Sequence, residues 1–496
     1  MQNNKQKVAG GFFWAYAERI IAQVVSLIVS IVLARLLEPE NYGVISIVMI
    51  FITICDAVVT GGFGNVIVQK KNADDLDVNT MLCCSMVTSF VFYCIIFFSA
   101  PYIASFYDMP IMRPILRVLG IRLLISGVNS IQKAWIQKRL LFKRFFVATF
   151  FGTIISAVVG ITMAYAKMGA WALVGQYLTN SFIDTFVLYV TNDWRPKLLF
   201  SWNRAKSMLS YAWKVLLTTV IYTIEGDLRS IIIGKKFGSA DLAYYDQGKK
   251  FPNLLVSNIN ASISSVMFPV FSQSQDNLEH LVKMCRRSIR VGMYLLSPLL
   301  MGLIGVADDF VIVVLSPKWV ECIPYLRILT IVFLVRPFTT ICQQAILSVG
   351  RSDVVLKIEV IINIVAISFM LYSVFILESV LGVAVSTLIA EGVSLTLFMI
   401  YINRVIGYRF KQQMQDLLPS LFFSGLLGIM VYLLHFIAFK KSVMLILQIL
   451  SGAFVYFFIS YALQLEPYVY VVNMLNERVH NKKVRYILRK IIKKEH

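Results

Sequence analysis

The chain has 496 residues, of which 58% are hydrophobic and 15% charged, with a mean hydropathy of +0.74 and a formal net charge of +20. Soluble domains run near half apolar and about a quarter charged, so this balance excludes an ordinary soluble protein. A membrane β-barrel is excluded as well, because period-2 alternation in segments of about 10 residues is absent.

Apolar segments of about 20 residues recur from end to end, each long enough to cross a hydrocarbon core of about 30 Å. The first covers 11–34 behind Lys5 and Lys7; lacking a small-residue cleavage site, it reads as a span and not a removable signal peptide. Further spans are expected near 43–66, 80–103, 115–135, 145–166 and 169–190, and then at 209–233, 243–268, 287–306, 322–346, 355–377 and 380–402. Two more fall at 417–437 and 443–465. The expected fold class is an all-α polytopic membrane protein with about 14 transmembrane helices.

The halves repeat each other. LARLLEPENYG (33–43) matches IGKKFGSADLA (233–243) in kind, each with a helix end, a basic residue (Arg35, Lys235), a polar turn and the next span. QKAWIQKRLLFKRF (132–145) likewise parallels QQAILSVGRSDVVLKIE (343–359). Six spans per repeat is even, so both halves enter from one side and are related by a pseudo-two-fold along the membrane normal. The expected plan is an N-terminal six-helix lobe at 1–200, a C-terminal six-helix lobe at 201–403 around a central cavity, two additional helices at 404–469 and a basic tail at 470–496.

Cation placement sets the orientation. With both termini cytoplasmic, the outer loops carry only Arg35, Arg113, Lys167, Lys235, Lys236, Lys318, Lys440 and Lys441, and the inner loops and tail outnumber them several-fold. This is the positive-inside pattern of a multi-pass membrane protein with both termini cytoplasmic. The basic tail then suits anionic lipid head groups, not nucleic acid. The seven cysteines form no CxxC or Cys/His cluster, so neither a disulfide framework nor a metal site is expected. TGGFGN (60–65) lacks the spacing of a phosphate loop, and its glycines read as close helix packing. Short loops leave no room for a catalytic domain, so no catalytic residues and no cofactor are expected.

Charges inside the spans call for explanation, since a charge at mid-bilayer costs several kcal/mol even on lenient scales. At 100° per residue they form stripes: Arg19, Gln23, Ser26 and Ser30 in the first span, and Arg122, Ser126, Asn129 and Lys133 in the fourth. The seventh carries Lys214, Thr218, Glu225 and Arg229, and the eighth Asp246, Lys250, Asn253, Ser257, Asn260 and Ser264 with Lys249 flanking. The tenth has Arg336, Thr340 and Gln343. Structural pairs at i, i+4, Glu225 with Arg229 and Asp246 with Lys250, are the bland alternative. A cavity reading gains from five striped spans and from the excess of Arg19, Arg122, Lys214, Arg229, Lys249, Lys250 and Arg336 over Glu18, Glu225 and Asp246. Such an excess calls for an anionic substrate, with phosphate or pyrophosphate the best match. Gln23, Asn129, Asn253 and Asn260 would line the cavity, and Glu18, Glu225 and Asp246 would form ion pairs or couple transport to an ion. Asp56, Asp184, Asp227, Glu359 and Glu391 lie in spans away from the best stripes, and Asp227 points away from its own span's stripe.

ARLLEPENYG, QKAWIQKRLLFKRF, GAWALVGQ (169–176) and AILSVGRSDVVLKIE together resemble the polysaccharide transporter branch of the multidrug/oligosaccharidyl-lipid/polysaccharide exporter superfamily, and are most similar to its Wzx and WzxC-type flippases. The resemblance is strong over roughly 1–400. It implies a V-shaped cavity between two six-helix lobes, open to each side in turn, and an undecaprenyl-pyrophosphate-linked oligosaccharide as substrate. The unit would be flipped from the cytoplasmic to the outer leaflet for lipopolysaccharide, exopolysaccharide or capsule biosynthesis, alongside a polysaccharide polymerase and chain-length machinery. In the related lipid II flippases a first-helix arginine holds the pyrophosphate, and Arg19 matches it; H+ or Na+ would be the coupling ion. The alternatives are a cation-coupled multidrug antiporter of the same superfamily, which the basic excess disfavours, and a membrane polysaccharide polymerase or ligase, which should carry a large outer loop.

Overall fold

A computed structural model of the protein describes residues 23–70, 73–139, 141–197, 199–437 and 439–478, and every regular element among them is helical. Helix α1 (Gln23–Leu36) leads into α2 (Pro39–Gly61), which opens on a proline whose missing N–H is harmless in a first turn. The chain continues after Gly62 as α3 (Phe63–Gln69). Helix α4 (Asp75–Phe106) starts at a reciprocal cap: the Asp74 carboxylate accepts from the Asp77 backbone at 2.9 Å, and the Asp77 carboxylate accepts from Asp74 N–H at 3.2 Å. Then come α5 (Met112–Leu119), α6 (Ile121–Lys138) and the close pair α7 (Phe142–Tyr165) and α8 (Ala170–Thr191). Helix α9 (Trp202–Lys236) packs against α2.

The next helices are α10 (Ser239–Ser272), α11 (Leu278–Gly305) and the single turn α12 (Ala307–Phe310). A π turn at Val311–Leu315 and a 3-10 turn at Pro317–Cys322 lead to α13 (Ile323–Ser348). The chain then forms α14 (Ser352–Phe375), α15 (Val380–Ile406), α16 (Phe410–Leu434), α17 (Lys441–Ala462) and α18 (Glu466–Arg478). Helix α15 is capped by the Ser379 hydroxyl and closed by Gly407 at φ 80°, where a left-handed residue ends the helix without a Cβ clash. Pro252, Pro269, Pro298 and Pro337 each delete one helical hydrogen bond inside α10, α11 or α13.

Eleven stretches among the described residues are long and apolar enough to span a membrane. The described part of α1 is shorter. Helices α8 and α9, with 22 and 35 residues, have the length but are more polar. The described residues therefore give eleven clear spans, and the expected fourteen is not reached. In α8 the dilution comes from Gln176, Asn180, Ser181 and Asp184, and this becomes important below.

Packing divides the chain into two compact units, residues 1–243 and 244–496. The first has a core of Phe63, Ile67, Met81, Trp135 and Trp194, and the second one of Phe271, Cys285, Phe338, Cys342 and Tyr408. Large apolar side chains remain outside, among them Phe98 on α4, Ile364 on α14 and Phe454 on α17, as lipid-facing positions require.

The first unit also explains two of the quoted motifs. A Cβ on Gly43 of ARLLEPENYG would lie 1.8 Å from the Ser239 carbonyl oxygen, so only glycine lets the two backbones meet. Gly169 of GAWALVGQ sits at φ +56°, and a Cβ there would stand 3.0 Å from Oδ1 of Asn41, in the same ARLLEPENYG turn. The two motifs form one joint.

Candidate functional site

A cavity of about 360 Å³ is cut into the first unit, bounded by α2, α3, α6 and α8. Its α6 wall is the stripe Arg122, Ser126, Asn129 and Lys133, which a helical repeat places on one face. Facing it, α8 presents Asn180, Ser181, Asp184 and Thr185, and α2 adds Asp56 and Thr60. The polar residues that make α8 less apolar than its neighbours are thus cavity walls.

The site is tightly bonded on one side and open on the other. Lys133 Nζ lies 2.9 Å from Asp184 Oδ2, and Asn129 Nδ2 donates to the same oxygen at 3.0 Å and to Thr185 Oγ1 at 2.8 Å. Asn129 and Asp184 are both buried, whereas the Lys133 side chain is 45% exposed. Arg122 places Nη1 3.7 Å from the Met49 sulfur, and its Nε is buried with no hydrogen-bond partner. Asp56 Oδ1 is likewise buried and unpartnered. Buried polar atoms are normally bonded, so Arg122 Nε and Asp56 Oδ1 keep bonding capacity directed at this cavity that no described protein group uses.

A second cavity of about 350 Å³ adjoins at Asn180 and is lined by Gln23 and Ser26 of α1, Thr153 and Ser156 of α7, and Gln176 and Tyr177 of α8. Gln23 thus lines a polar cavity, as its stripe suggested, but not the charged one. Arg19 and Glu18 lie outside the described residues, and so do the side chains of Lys214 and Glu225 on α9. Arg229 is half-buried on α9 with Nε unpartnered, and it is not among the cavity walls.

The remaining sequence candidates belong to the second unit. On α10, Asp246 lies within electrostatic reach of Lys250, Lys249 is half-buried, Asn253 is exposed, and Asn260 keeps a buried unpartnered Oδ1. Arg336 on α13 stands 3.9 Å from Glu391 of α15 and 4.4 Å over the Phe333 ring. Gln343 donates to Glu359 at 3.5 Å. One residue was missed altogether: Gln247 is buried with neither end of its amide bonded, and no neighbour in sequence signals it.

Over residues 32–324, more than half its length, the chain matches the family described as "Polysaccharide biosynthesis protein". It belongs to that family. Among relatives of this polysaccharide biosynthesis protein, the lipopolysaccharide biosynthesis protein WzxC of Escherichia coli (strain K12) is 23% identical over 444 residues, covering 86% of this chain and 89% of WzxC. The succinoglycan biosynthesis transport protein ExoT of Rhizobium meliloti (strain 1021) is 19% identical over 300 residues, which is 60% of this chain and 61% of ExoT. Among solved structures, the lipid II flippase MurJ in an inward closed conformation is similar with a TM-score of 0.73 at 13% identity, covering 90% of this chain and 98% of that one. That similarity is one of fold.

For this family member, one expectation about charge needs correction. Asp56 and Asp184 were placed away from the polar stripes; the structure puts both in the wall that faces the α6 stripe, because α2 and α8 pack on α6. This cavity holds only Arg122 of the cations counted in the excess, and its described walls are balanced in charge. Among its described walls Arg122 and Lys133 stand against Asp56 and Asp184, and in the second unit Arg336 has Glu391 as a counter-charge. Asp227, without an account in the sequence, accepts from Thr53 Oγ1 at 3.3 Å and links α9 to α2.

Proposed function

We propose that this protein is a flippase that moves undecaprenyl-pyrophosphate-linked oligosaccharide units from the cytoplasmic to the outer leaflet of a bacterial inner membrane, by alternating access, for lipopolysaccharide, exopolysaccharide or capsule assembly. Both termini face the cytoplasm in this reading. The observation that carries it is the charged cavity among membrane-spanning helices, with Arg122 Nε buried and without a protein partner and Lys133 half exposed beside it. An intramembrane charge normally faces a functional pathway, and guanidinium and ammonium groups are suited to a phosphate-bearing substrate. Family membership and the work named for WzxC and ExoT favour a glycan-related cargo. The described connections between spans are short turns, which favours transport over glycan-forming catalysis.

The balance of charge suggests how the cycle closes. Asp184 neutralises Lys133. A substrate phosphate that draws Lys133 away leaves Asp184, with Asp56 nearby in the wall, to take up a proton or a sodium ion. Transport of the anionic cargo would then be linked to H+ or Na+.

Proteoliposomes holding a fluorescent polyprenyl-pyrophosphate oligosaccharide test the reading. Protein-dependent exposure of the sugar to an external lectin is expected, reduced at least tenfold in Arg122→Ala. Equal exposure in protein-free vesicles overturns it. A cation-coupled drug antiporter is the second reading, favoured by Asp56 and Asp184; efflux of a cationic dye without sugar transfer would decide for it.

A further inference from the structure

Helix α11 carries Lys283, Arg286, Arg287 and Arg290, an i, i+3, i+4, i+7 set on one face. They line a cavity of about 560 Å³ whose opposite wall is Glu466 and Tyr470 of α18. Arg286 donates from Nε and Nη2 to Asp416 at 2.7 and 3.1 Å, and Arg290 donates from Nε to the same carboxylate at 2.6 Å and from Nη1 to Glu466. Tyr408 adds a hydroxyl donor to Asp416 at 2.8 Å. One buried carboxylate is therefore shared by two guanidinium groups, which it holds fixed at the cavity edge with Nη1 of Arg286 and Nη2 of Arg290 still to donate. Among the described residues Lys283 is paired only with exposed Glu279, at 2.9 Å, and Arg287 has no acidic partner: its guanidinium lies 3.6 Å from the Tyr470 ring centre. The cavity is a preformed anion site with its arginines already ordered.

The same i, i+4 row of α11 runs on from Arg287 through Val291 to Leu295 and Leu299. Val291 lines the cavity, and Leu295 and Leu299 are 46% and 53% exposed. A cationic pocket at the end of a span, continued by an open apolar row along that span, matches a molecule with a phosphate at one end and hydrocarbon at the other.

We propose that this pocket binds the phosphate of an anionic membrane phospholipid, with an acyl chain laid along Val291, Leu295 and Leu299. Basic pockets between spans hold lipid phosphates in this way. The site lies in the second unit, shares no residue with the charged cavity, and stands whether or not the protein flips a sugar carrier.

The test uses the purified full-length protein in nanodiscs of phosphatidylcholine with and without phosphatidylglycerol, reading retained anionic lipid by native mass spectrometry and the thermal midpoint. Phosphatidylglycerol should be retained and raise the midpoint. Each cation removed should weaken retention about fivefold, so Lys283→Glu with Arg287→Glu should abolish it, while Arg287→Lys keeps it. Both positions are exposed or stacked at the surface, and an unchanged midpoint in pure phosphatidylcholine verifies that the double variant folds. Wild-type retention in the double variant overturns the proposal. A second arm adds inorganic phosphate or glycerol phosphate to protein in phosphatidylcholine alone; stabilisation equal to that by phosphatidylglycerol would assign the pocket to a soluble anion and overturn the lipid. Weaker retention in Leu295→Gln with Leu299→Gln supports the acyl row, and unchanged retention removes it.

Discussion

Substituting Lys133 and Asp184 singly and together separates their structural tie from a transport role. The Lys133 side chain is 45% exposed and that of Asp184 12%, so the pair lies between surface pairs, about 0.2–1 kcal/mol, and buried ones, where losing one partner costs about 3–5 kcal/mol. A coupling near 1 kcal/mol follows. Asp184→Ala also removes the acceptor of Asn129, and a hydrogen bond to a charged group contributes about 1.5–3 kcal/mol. We expect Lys133→Ala to destabilise by about 1 kcal/mol, Asp184→Ala by about 3, and the double variant by about 3 and not the sum, since each removal includes the same coupling. Denaturation in detergent measures these values, and the lectin-accessibility assay measures flipping in the same preparations. If Lys133 meets the substrate phosphate, flipping stays low in the double variant even where stability matches Asp184→Ala. Flipping that recovers on going from Lys133→Ala to the double variant would refute the reasoning and leave the lysine a scaffold residue.

Three further outcomes follow from the geometry. Gly43→Ala should destabilise the first unit by about 1–3 kcal/mol, because the new methyl meets a backbone oxygen at 1.8 Å; Ser239→Gly should not rescue it, and a rescue in thermal denaturation would place the clash on the side chain. Asp416→Ala leaves Arg286 and Arg290 without their shared anion and should cost about 3–5 kcal/mol, with Asp416→Asn milder, read by chemical denaturation. The Arg204 hydrogen bond, helped by the Asp77 backbone N–H, holds the Asp74 carboxyl down at about 2 from an ordinary 3.8. A depressed carboxyl stabilises fully above its unfolded value and loses that contribution as pH falls through the folded one. The midpoint difference between wild type and Asp74→Asn should thus be flat above about pH 4 and shrink between about 4 and 2; a difference that shrinks at neutral pH would contradict it.

The spans and the α6 wall were legible because each is a local property of one helix. Arg122, Ser126, Asn129 and Lys133 recur at four, three and four residues, and that spacing alone puts them on one face. Asp184 carries a signal of the same kind: Asn180, Ser181, Asp184 and Thr185 repeat at four residues and mark a polar face of α8 as clearly as the α6 set does, but a single charge on that face does not name its partner. Asp56, with Thr60 one turn on and far from Glu40 in the first turn of α2, gives a weaker signal; only the packing of α2 on α6 reveals it.

Counting charges along single stripes also leaves out the partners that neutralise them. A stripe on one helix counts charges by chain position, whereas neutralisation happens across helices: Lys133 on α6 meets Asp184 on α8, Arg336 on α13 meets Glu391 on α15, and Arg286 on α11 meets Asp416 on α16. Each acid stands 51 to 130 residues from its base, as 184 is from 133 and 416 from 286, so no window of sequence contains both. Low-dielectric surroundings make an unpaired ion costly enough that such partners are needed. What then distinguishes a working charge from a scaffold charge is its unfilled bonding capacity. By that criterion Arg122, Asp56, Arg229 and the half-exposed Lys133 stand out in the first unit, and Arg287 in the second. Arg336, held by both Glu391 and the Phe333 ring, ranks below them as a substrate contact, so Arg336→Ala should impair flipping less than Arg122→Ala, and the opposite order would return the cavity's cationic role to the second unit.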